Sequence, residues 1–291
     1  SIAKHLGYTP RSARASSAVV NITVNDPTDY PSSITLDEYT KFTVSINGST
    51  YSFVNLEAKT TQPVDGVYTF SNVRIYEGEP LLFNYTVEDP GPAEKFEIPD
   101  DNVDTTTIKV VVQNSVGDTS SNVYSLSTEL VTLDGTSKVY FLEENSKGRY
   151  EIFFGDGILG KQLTAGNIVK IEYLSTNGDD TNVSSLIAQS FTLSGTVAGS
   201  SDVDVTTISN STGGDAKETI TSIKFNAPRF NVTQNRAVTK EDYEALIKAK
   251  FSQAESVAVW GGEDNDPPKY GKVLISLKPY SGSVSYTHLT L

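Results

Sequence analysis

Two residues, Asn47-Gly48, stand between runs in which apolar and polar side chains alternate, Lys41-Phe42-Thr43-Val44-Ser45-Ile46 and Ser49-Thr50-Tyr51-Ser52-Phe53. No other feature limits the fold as tightly. A two-residue hairpin turn of the type that matches strand twist needs positive φ at both positions, and Asn-Gly supplies it. The turn then sets the register. Val44 is expected opposite Tyr51 and Phe42 opposite Phe53, on one face with Ile46, and that face has to be buried.

The same alternation recurs along the chain. Residues 19–24, 67–70, 81–85 and 108–112 read as strands, and Asp89-Pro90-Gly91-Pro92 reads as a turn. Residues 139–142 and 150–154 are expected to form a second hairpin across Asn145-Ser146-Lys147-Gly148. Val169, Ile171 and Tyr173 alternate before a turn at Asn177-Gly178, and residues 195–214 read as loop and edge strand. The opening stretch, residues 1–18, reads as the end of a helical part followed by a turn. Short strands with frequent turn signals predict a β-sandwich-like domain over 19–115 and a second β-rich domain over 116–212.

The pattern changes at Gly213-Gly214. Ile220 and Ile223 have helical spacing, with Pro228 expected to stop that helix. Thr239 and Asp242 form an approximate capping box for a second helix whose apolar face carries Tyr243, Leu246, Ile247 and Phe251. Residues 257–260 and 273–277 read as strands around a Gly/Asp/Pro loop. The predicted class is therefore mainly β with a C-terminal α/β region over 213–283, in a multidomain chain. Residues 284–291, Val-Ser-Tyr-Thr-His-Leu-Thr-Leu, read as an in-frame translation of a sequencing adapter and are set aside from the fold. A chain that begins with Ser1 and has no Met is expected to be a piece of a longer one.

Composition excludes several chemistries. A formal charge of −13 disfavours nucleic acid and anionic membranes as partners. Zero Cys excludes disulfides, zinc ribbons and thiol catalysis, and setting the tail aside leaves His5 as the one native histidine. Residues 155–161, Gly-Asp-Gly-Ile-Leu-Gly-Lys, have the spacing of a phosphate-binding loop. Gln162 follows where Ser or Thr is required, however, and a strand follows where a helix is required. The acidic groups Asp179-Asp180, Asp202 with Asp204, and Glu263-Asp264 with Asp266 lack EF-hand spacing and read as solvated loop charge. The aromatics, including Trp260, read as core rather than as a sugar platform. No catalytic, cofactor-binding or metal-binding residue is assigned, and no small-molecule substrate is expected.

Two blocks resemble a known family. The first is Tyr150-Glu151-Ile152-Phe153-Phe154-Gly155-Asp156-Gly157-Ile158-Leu159-Gly160, with Gly166, Ile171-Glu172-Tyr173 and Asn177-Gly178. The second is Gly213-Gly214-Asp215, Ala227-Pro228-Arg229-Phe230 and Asn235-Arg236-Ala237-Val238-Thr239-Lys240-Glu241-Asp242-Tyr243. Together they resemble the Baseplate J family, and within it the baseplate wedge subunits of T-even-type contractile-tailed phages. Residues 6–14 and 96–112 share that likeness. The resemblance implies a non-enzymatic structural part of a virion tail baseplate, assembled in the host cytoplasm. It implies other wedge subunits as partners, with self-association as a further option, and no cofactor. The residues between the two predicted C-terminal helices place Arg229, Phe230 and Arg236 at a candidate interface, since Arg and aromatic side chains are favoured at hot spots, with pairing of Arg236 to a carboxylate of its own domain as the equal alternative. A β-sandwich adhesin or glycan-binding module is the alternative reading, and an uncharacterised hydrolase is a third.

Overall fold

A computed structural model describes residues 8–90, 94–127, 133–233, 239–250, 254–265, 267–279 and 285–287. The described strands begin with β1 (Ser17–Val24), β2 (Ile34–Leu36), β3 (Lys41–Ile46), β4 (Ser49–Val54), β5 (Lys59–Thr61) and β6 (Tyr68–Glu77). They continue with β7 (Glu79–Thr86), β8 (Phe96–Glu97), β9 (Val103–Gln113), β10 (Ser121–Leu126), β11 (Val139–Glu144), β12 (Tyr150–Phe154) and β13 (Ile168–Ser175). Next come β14 (Thr192–Leu193) and β15 (Val203–Thr212). The molecule is mainly β. It divides into two compact units, Ser12–Ala216 and a second made of Ser1–Arg11 with Lys217–Leu291.

The Asn47-Gly48 turn forms as its chemistry requires, with φ of 51° and 84°. β3 and β4 pair with Val44 opposite Tyr51 and Phe42 opposite Phe53. Phe42 and Phe53 are fully buried, Val44 and Ile46 nearly so, and Tyr51 packs against the same core. Each large apolar side chain taken out of water here stabilises the fold by roughly 1.5–3 kcal/mol.

This hairpin belongs to a six-stranded sheet in the order β14-β3-β4-β6-β1-β15. Its core takes every second residue of β1, Ala18, Val20, Ile22 and Val24, together with Phe70, Ile75 and Phe191. The end strands β14 and β15 contact each other, so the sheet curls toward a barrel. A seven-stranded sheet runs in the order β7-β13-β9-β10-β11-β12-β8. Its core is a separate cluster that includes Val110, Val112, Tyr150, Ile152, Val169, Ile171 and Tyr173. Here too the ends meet: the Tyr85 hydroxyl of β7 donates to the Glu97 carbonyl of β8. Curling of both sheets replaces the flat sandwich layers expected from strand spacing, because joining the end strands removes open edges. The 139–154 hairpin forms as expected, from Tyr140 opposite Phe154 to Glu144 opposite Tyr150.

The boundary expected at 115 falls inside the seven-stranded sheet, whereas β15 ends at Thr212. The six-stranded sheet stops being contiguous at β6, Gly78 turns the chain, and β7 begins the second sheet. Gly78 has φ of +133°, and a Cβ there would lie 2.6 Å from the Ser175 carbonyl oxygen, so glycine is required. The second sheet ends with β13, and β14 and β15 return to the first. Turn signals mark where strands stop but not which sheet the next strand joins, so this interleaving is invisible to local reading. Residues 8–16 contain no helix, and Arg14 instead bridges antiparallel to Asp215. The turn expected at Asn177-Gly178 is a short 3-10 turn, Gly178–Thr181.

The second unit holds α1 (Ile220–Thr233), α2 (Lys240–Lys250), β16 (Ala254–Gly261), β17 (Val273–Pro279) and β18 (Ser285–Thr287). Thr219 starts α1, its hydroxyl accepting from the Ser222 N–H at 3.2 Å. The helix does not stop at Pro228 but passes through it to Thr233. Proline removes its own N–H bond and crowds the carbonyl four residues back, and burial of the neighbouring Ala227 against Tyr8 and Ile223 works against that cost. The capping box forms reciprocally. The Thr239 N–H donates to Asp242 Oδ2 at 2.9 Å, and the Asp242 N–H donates to Thr239 Oγ1 at 3.2 Å. Tyr243 and Ile247 pack on Val257, Val259 and Ile275, while Leu246 is half-buried and Phe251 lies outside the described residues. β16 and β17 pair antiparallel, Val259 opposite Ile275. Ser285–Thr287, set aside on sequence, pairs along β17, because an open strand edge accepts an extended segment whatever its side chains.

Candidate functional site

The glycine-rich stretch after β12 is a closed turn. The Asp156 carboxylate accepts the N–H groups of Ile158 and Leu159, both at 2.9 Å. These bonds hold the Asp156 carboxyl below its ordinary range. The Gly157 N–H donates to the Gly160 carbonyl, that of Gly160 to Asp134, and that of Lys161 to Ser137. Gly157 and Gly160 have φ of +88° and +93°, and a Cβ on Gly155 would overlap the Gly160 backbone. The amides that a phosphate would need are thus occupied by the protein's own oxygens. The next element is the strand β13, where a phosphate loop would open into a helix N-terminus. The stretch ties the end of β12 to residues 134–137, a structural role.

Motif residues far apart in the chain converge elsewhere in the larger unit. A Cβ on Gly214 would lie 2.2 Å from the Gly178 carbonyl oxygen, and one on Gly178, where φ is +65°, 2.8 Å from that of Asp215. Asn182 locks the pair, its amide donating to the Gly214 carbonyl and accepting the Gly214 N–H, each at 2.8 Å. The Ser16 and Thr181 hydroxyls share a buried bond of 2.7 Å beside it. Glu77, 1% exposed, accepts from Thr176 Oγ1 at 2.6 Å, the Asn177 N–H at 3.0 Å and Asn177 Nδ2 at 2.6 Å. Asp104, equally buried, accepts the Ala15 N–H at 2.8 Å and both the N–H and the hydroxyl of Thr106. These buried carboxylates are consumed in holding backbone, as buried charge requires.

The smaller unit has a matching centre at Glu218, 7% exposed. It accepts from the Tyr8 hydroxyl, the Arg11 N–H at 3.1 Å, the Ser222 hydroxyl at 2.9 Å and Asn226 Nδ2 at 2.8 Å. Burial pushes the Glu218 carboxyl up, but bonds from Asn226, Arg11, Tyr8 and Ser222 together outweigh it, and the net shift is downward. Burial and the carboxylate raise the Tyr8 phenol in turn. Sequence reading missed this cluster, whose one local signal is Glu218 just ahead of an N-capping Thr219.

Of the candidate interface residues, Arg229 and Phe230 lie on α1 rather than in a loop, because the helix continues past Pro228. Arg236 lies outside the described residues. Trp260 is half-buried on β16. Asp202 and Asp204 both accept from Asn25 Nδ2, and Asp264 pairs with Lys240 at 3.1 Å. Among the described residues no group of three or more His, Cys, Asp or Glu side chains is arranged to hold a metal. The described surface does carry large apolar side chains, Leu186 and Ile187 at 105% and 80% exposure being the most prominent adjacent pair.

Comparison with known proteins agrees with this structural character. Residues 89–178 match the family model described as "Bacteriophage baseplate wedge protein gp6, third domain". Residues 239–288 match "Baseplate structural protein gp6, C-terminal domain I", a match that extends into the tail set aside on sequence. The chain is 24% identical over 302 residues to baseplate wedge protein gp6 of Enterobacteria phage T4, covering 95% of this chain. It spans only 43% of that relative's length. A chain in the cryo-EM structure of the anti-feeding prophage baseplate is 14% identical and covers 91% of this chain and 47% of its own, at a TM-score of 0.34. Along nearly its whole length, then, this chain is similar to part of a baseplate wedge protein, and it matches the models of two of that protein's domains.

Proposed function

We propose that this chain is part of a structural subunit of a contractile-tail baseplate wedge, without catalytic activity of its own. The observation that carries the reading is the pair of successive matches to two domains of one wedge protein. The chemistry of the site supports it. Glu77, Asp104 and Glu218 are each bound to backbone or neutral donors, and the phosphate-loop spacing is a closed turn. In this reading the wider Baseplate J likeness holds, and the C-terminal helices and strands form the α/β region of that family. The partners are other wedge subunits, the place of action is the virion tail baseplate, and assembly occurs in the host cytoplasm. Arg229, Phe230 and Arg236 contribute to a subunit contact.

Deletion of the gene that encodes the full-length protein tests the proposal by electron microscopy of the resulting particles. Tails lacking complete baseplates are the expected outcome. Normal infectious tails in its absence would overturn the structural reading and favour an adhesin. Charge reversal at Arg229 and Arg236 should reduce co-purification of neighbouring wedge subunits with the full-length protein.

A further inference from the structure

We infer that a groove beside β6 binds an extended, carboxylate-bearing peptide by strand addition. β4 pairs with β6 only at Phe53–Glu77 and Val54–Tyr76, and the chain then turns away at Asn55. On its other side β6 stays paired with β1 through Ile75, Arg74 and Val73. β5 pairs with β2 and reaches β6 through side chains alone: Lys59 Nζ donates to the Ser71 carbonyl at 2.6 Å and Thr61 Oγ1 to the Thr69 carbonyl at 2.9 Å. No described strand therefore pairs with residues 72–75 of β6 on the β4 side.

The gap is a groove of about 420 Å³, within the range of about 300–1,000 Å³ typical of ligand sites. Its walls are residues 55–59 and 72–76 of the chain, without Ile75. A bulge at Asn72, with φ of +52°, shapes one end. Asn55 is 2% exposed and fixed, its Nδ2 donating to the Asp37 and Glu57 carbonyls at 2.8 Å. Its Oδ1 is buried with no hydrogen-bond partner, an acceptor that is costly to leave unmade.

The charge on these walls sets the class of guest. In a chain of net charge −13, the groove is lined by two exposed cations, Lys59 and Arg74, against one carboxylate, Glu57. Arg74 presents a planar fork suited to a carboxylate, and the Lys59 ammonium has donors beyond the one spent on Ser71. An unpaired strand edge supplies main-chain bonds, and flanking cations select acidic side chains at alternate positions.

The test is calorimetric titration of the whole chain with two synthetic peptides, each about six residues long and blocked at both ends. One alternates valine with glutamate and the other valine with lysine. Saturable binding of the glutamate peptide, at least about tenfold stronger than the lysine peptide and weakened by salt, is the expected result. Arg74→Glu should abolish it, and Arg74→Gln should weaken it about tenfold, with circular dichroism unchanged because the side chain is exposed. Absence of saturable binding at millimolar peptide, equal binding of both peptides, or binding indifferent to Arg74→Glu would overturn the inference.

Discussion

The Tyr8 hydroxyl lies 2.9 and 2.8 Å from the two carboxylate oxygens of Glu218, across 210 positions of sequence. This contact fastens residues 8–11 to the start of α1. Tyr8→Phe keeps the ring and deletes the donor, so it should cost about 1.5–3 kcal/mol, the range for a hydrogen bond to a charged group. Thermal or denaturant unfolding of the two proteins measures it. Glu218→Ala should cost more, because it leaves Tyr8, Ser222 and Asn226 without their acceptor.

The same site predicts a pH dependence. The folded Glu218 carboxyl titrates below its unfolded value. A group shifted downward contributes stability that is present above the unfolded pKa and is lost as pH falls through the folded one. Stability should therefore drop as pH falls below the ordinary carboxylate range. Glu218→Gln should be less stable near neutrality and should show a shallower acid loss. Parallel acid curves for parent and variant would contradict this assignment.

A methyl group at the Gly214–Gly178 contact should be poorly tolerated. Gly214→Ala drives a Cβ to 2.2 Å from a backbone oxygen, which cannot move as a flexible side chain could. Overpacking of this kind costs about 1–3 kcal/mol or more. Gly166 also has positive φ, +88°, but nothing lies within 4 Å of its Cβ position. Gly166→Ala should thus show only the backbone cost, about 1–2 kcal/mol. Denaturant midpoints of the pair separate steric overlap from conformation.

At α2 the capping box predicts that Thr239→Ala costs about 1 kcal/mol. Ile247→Ala should cost about 2 kcal/mol, the low end for such truncations, because the side chain is only partly buried. Unfolding followed by Trp260 fluorescence, on the strand beside α2, reports both. Negligible change in each variant would mean that α2 contributes little to its unit.

The turn after β12 predicts indifference to nucleotide. Millimolar Mg-ATP should leave the melting temperature of the parent and of Lys161→Ala unchanged, since a ligand that binds only the folded state raises it. Asp156→Ala should lower the melting temperature, because it releases the Ile158 and Leu159 amides. A rise of several degrees with Mg-ATP in the parent, absent in Lys161→Ala, would reverse the reading.

Local chemistry was legible in the sequence. The Asn47-Gly48 hairpin, the hairpin across residues 145–148 and the Thr239–Asp242 cap each depend on residues within a few positions of one another, so their chemistry is written side by side. At Pro228 a local rule met a tertiary contact and lost: the buried neighbour Ala227 keeps the helix going. Nothing near Glu218 announces Tyr8, and nothing near Gly214 announces Gly178. Those glycines stand out in the sequence only as parts of family-like blocks, and their physical reason is the touching of two backbones far apart in the chain. The interleaved sheets escape for the same cause, since strand alternation carries no address.

That interleaving has a consequence for how the protein is made. β1 is the first described strand of its unit, and one of its two neighbours, β15, is the last. At about 5–20 residues per second a ribosome needs roughly ten to forty seconds to travel from the end of β1 to the start of β15. Through that interval one flank of β1 has no native neighbour, while the whole seven-stranded sheet is produced in between. Nascent chains stalled before residue 203 should therefore be cut by protease along residues 17–24, and chains stalled well beyond residue 212 should resist. Slower translation lengthens the exposure, so the yield of this protein is expected to fall when elongation is slowed.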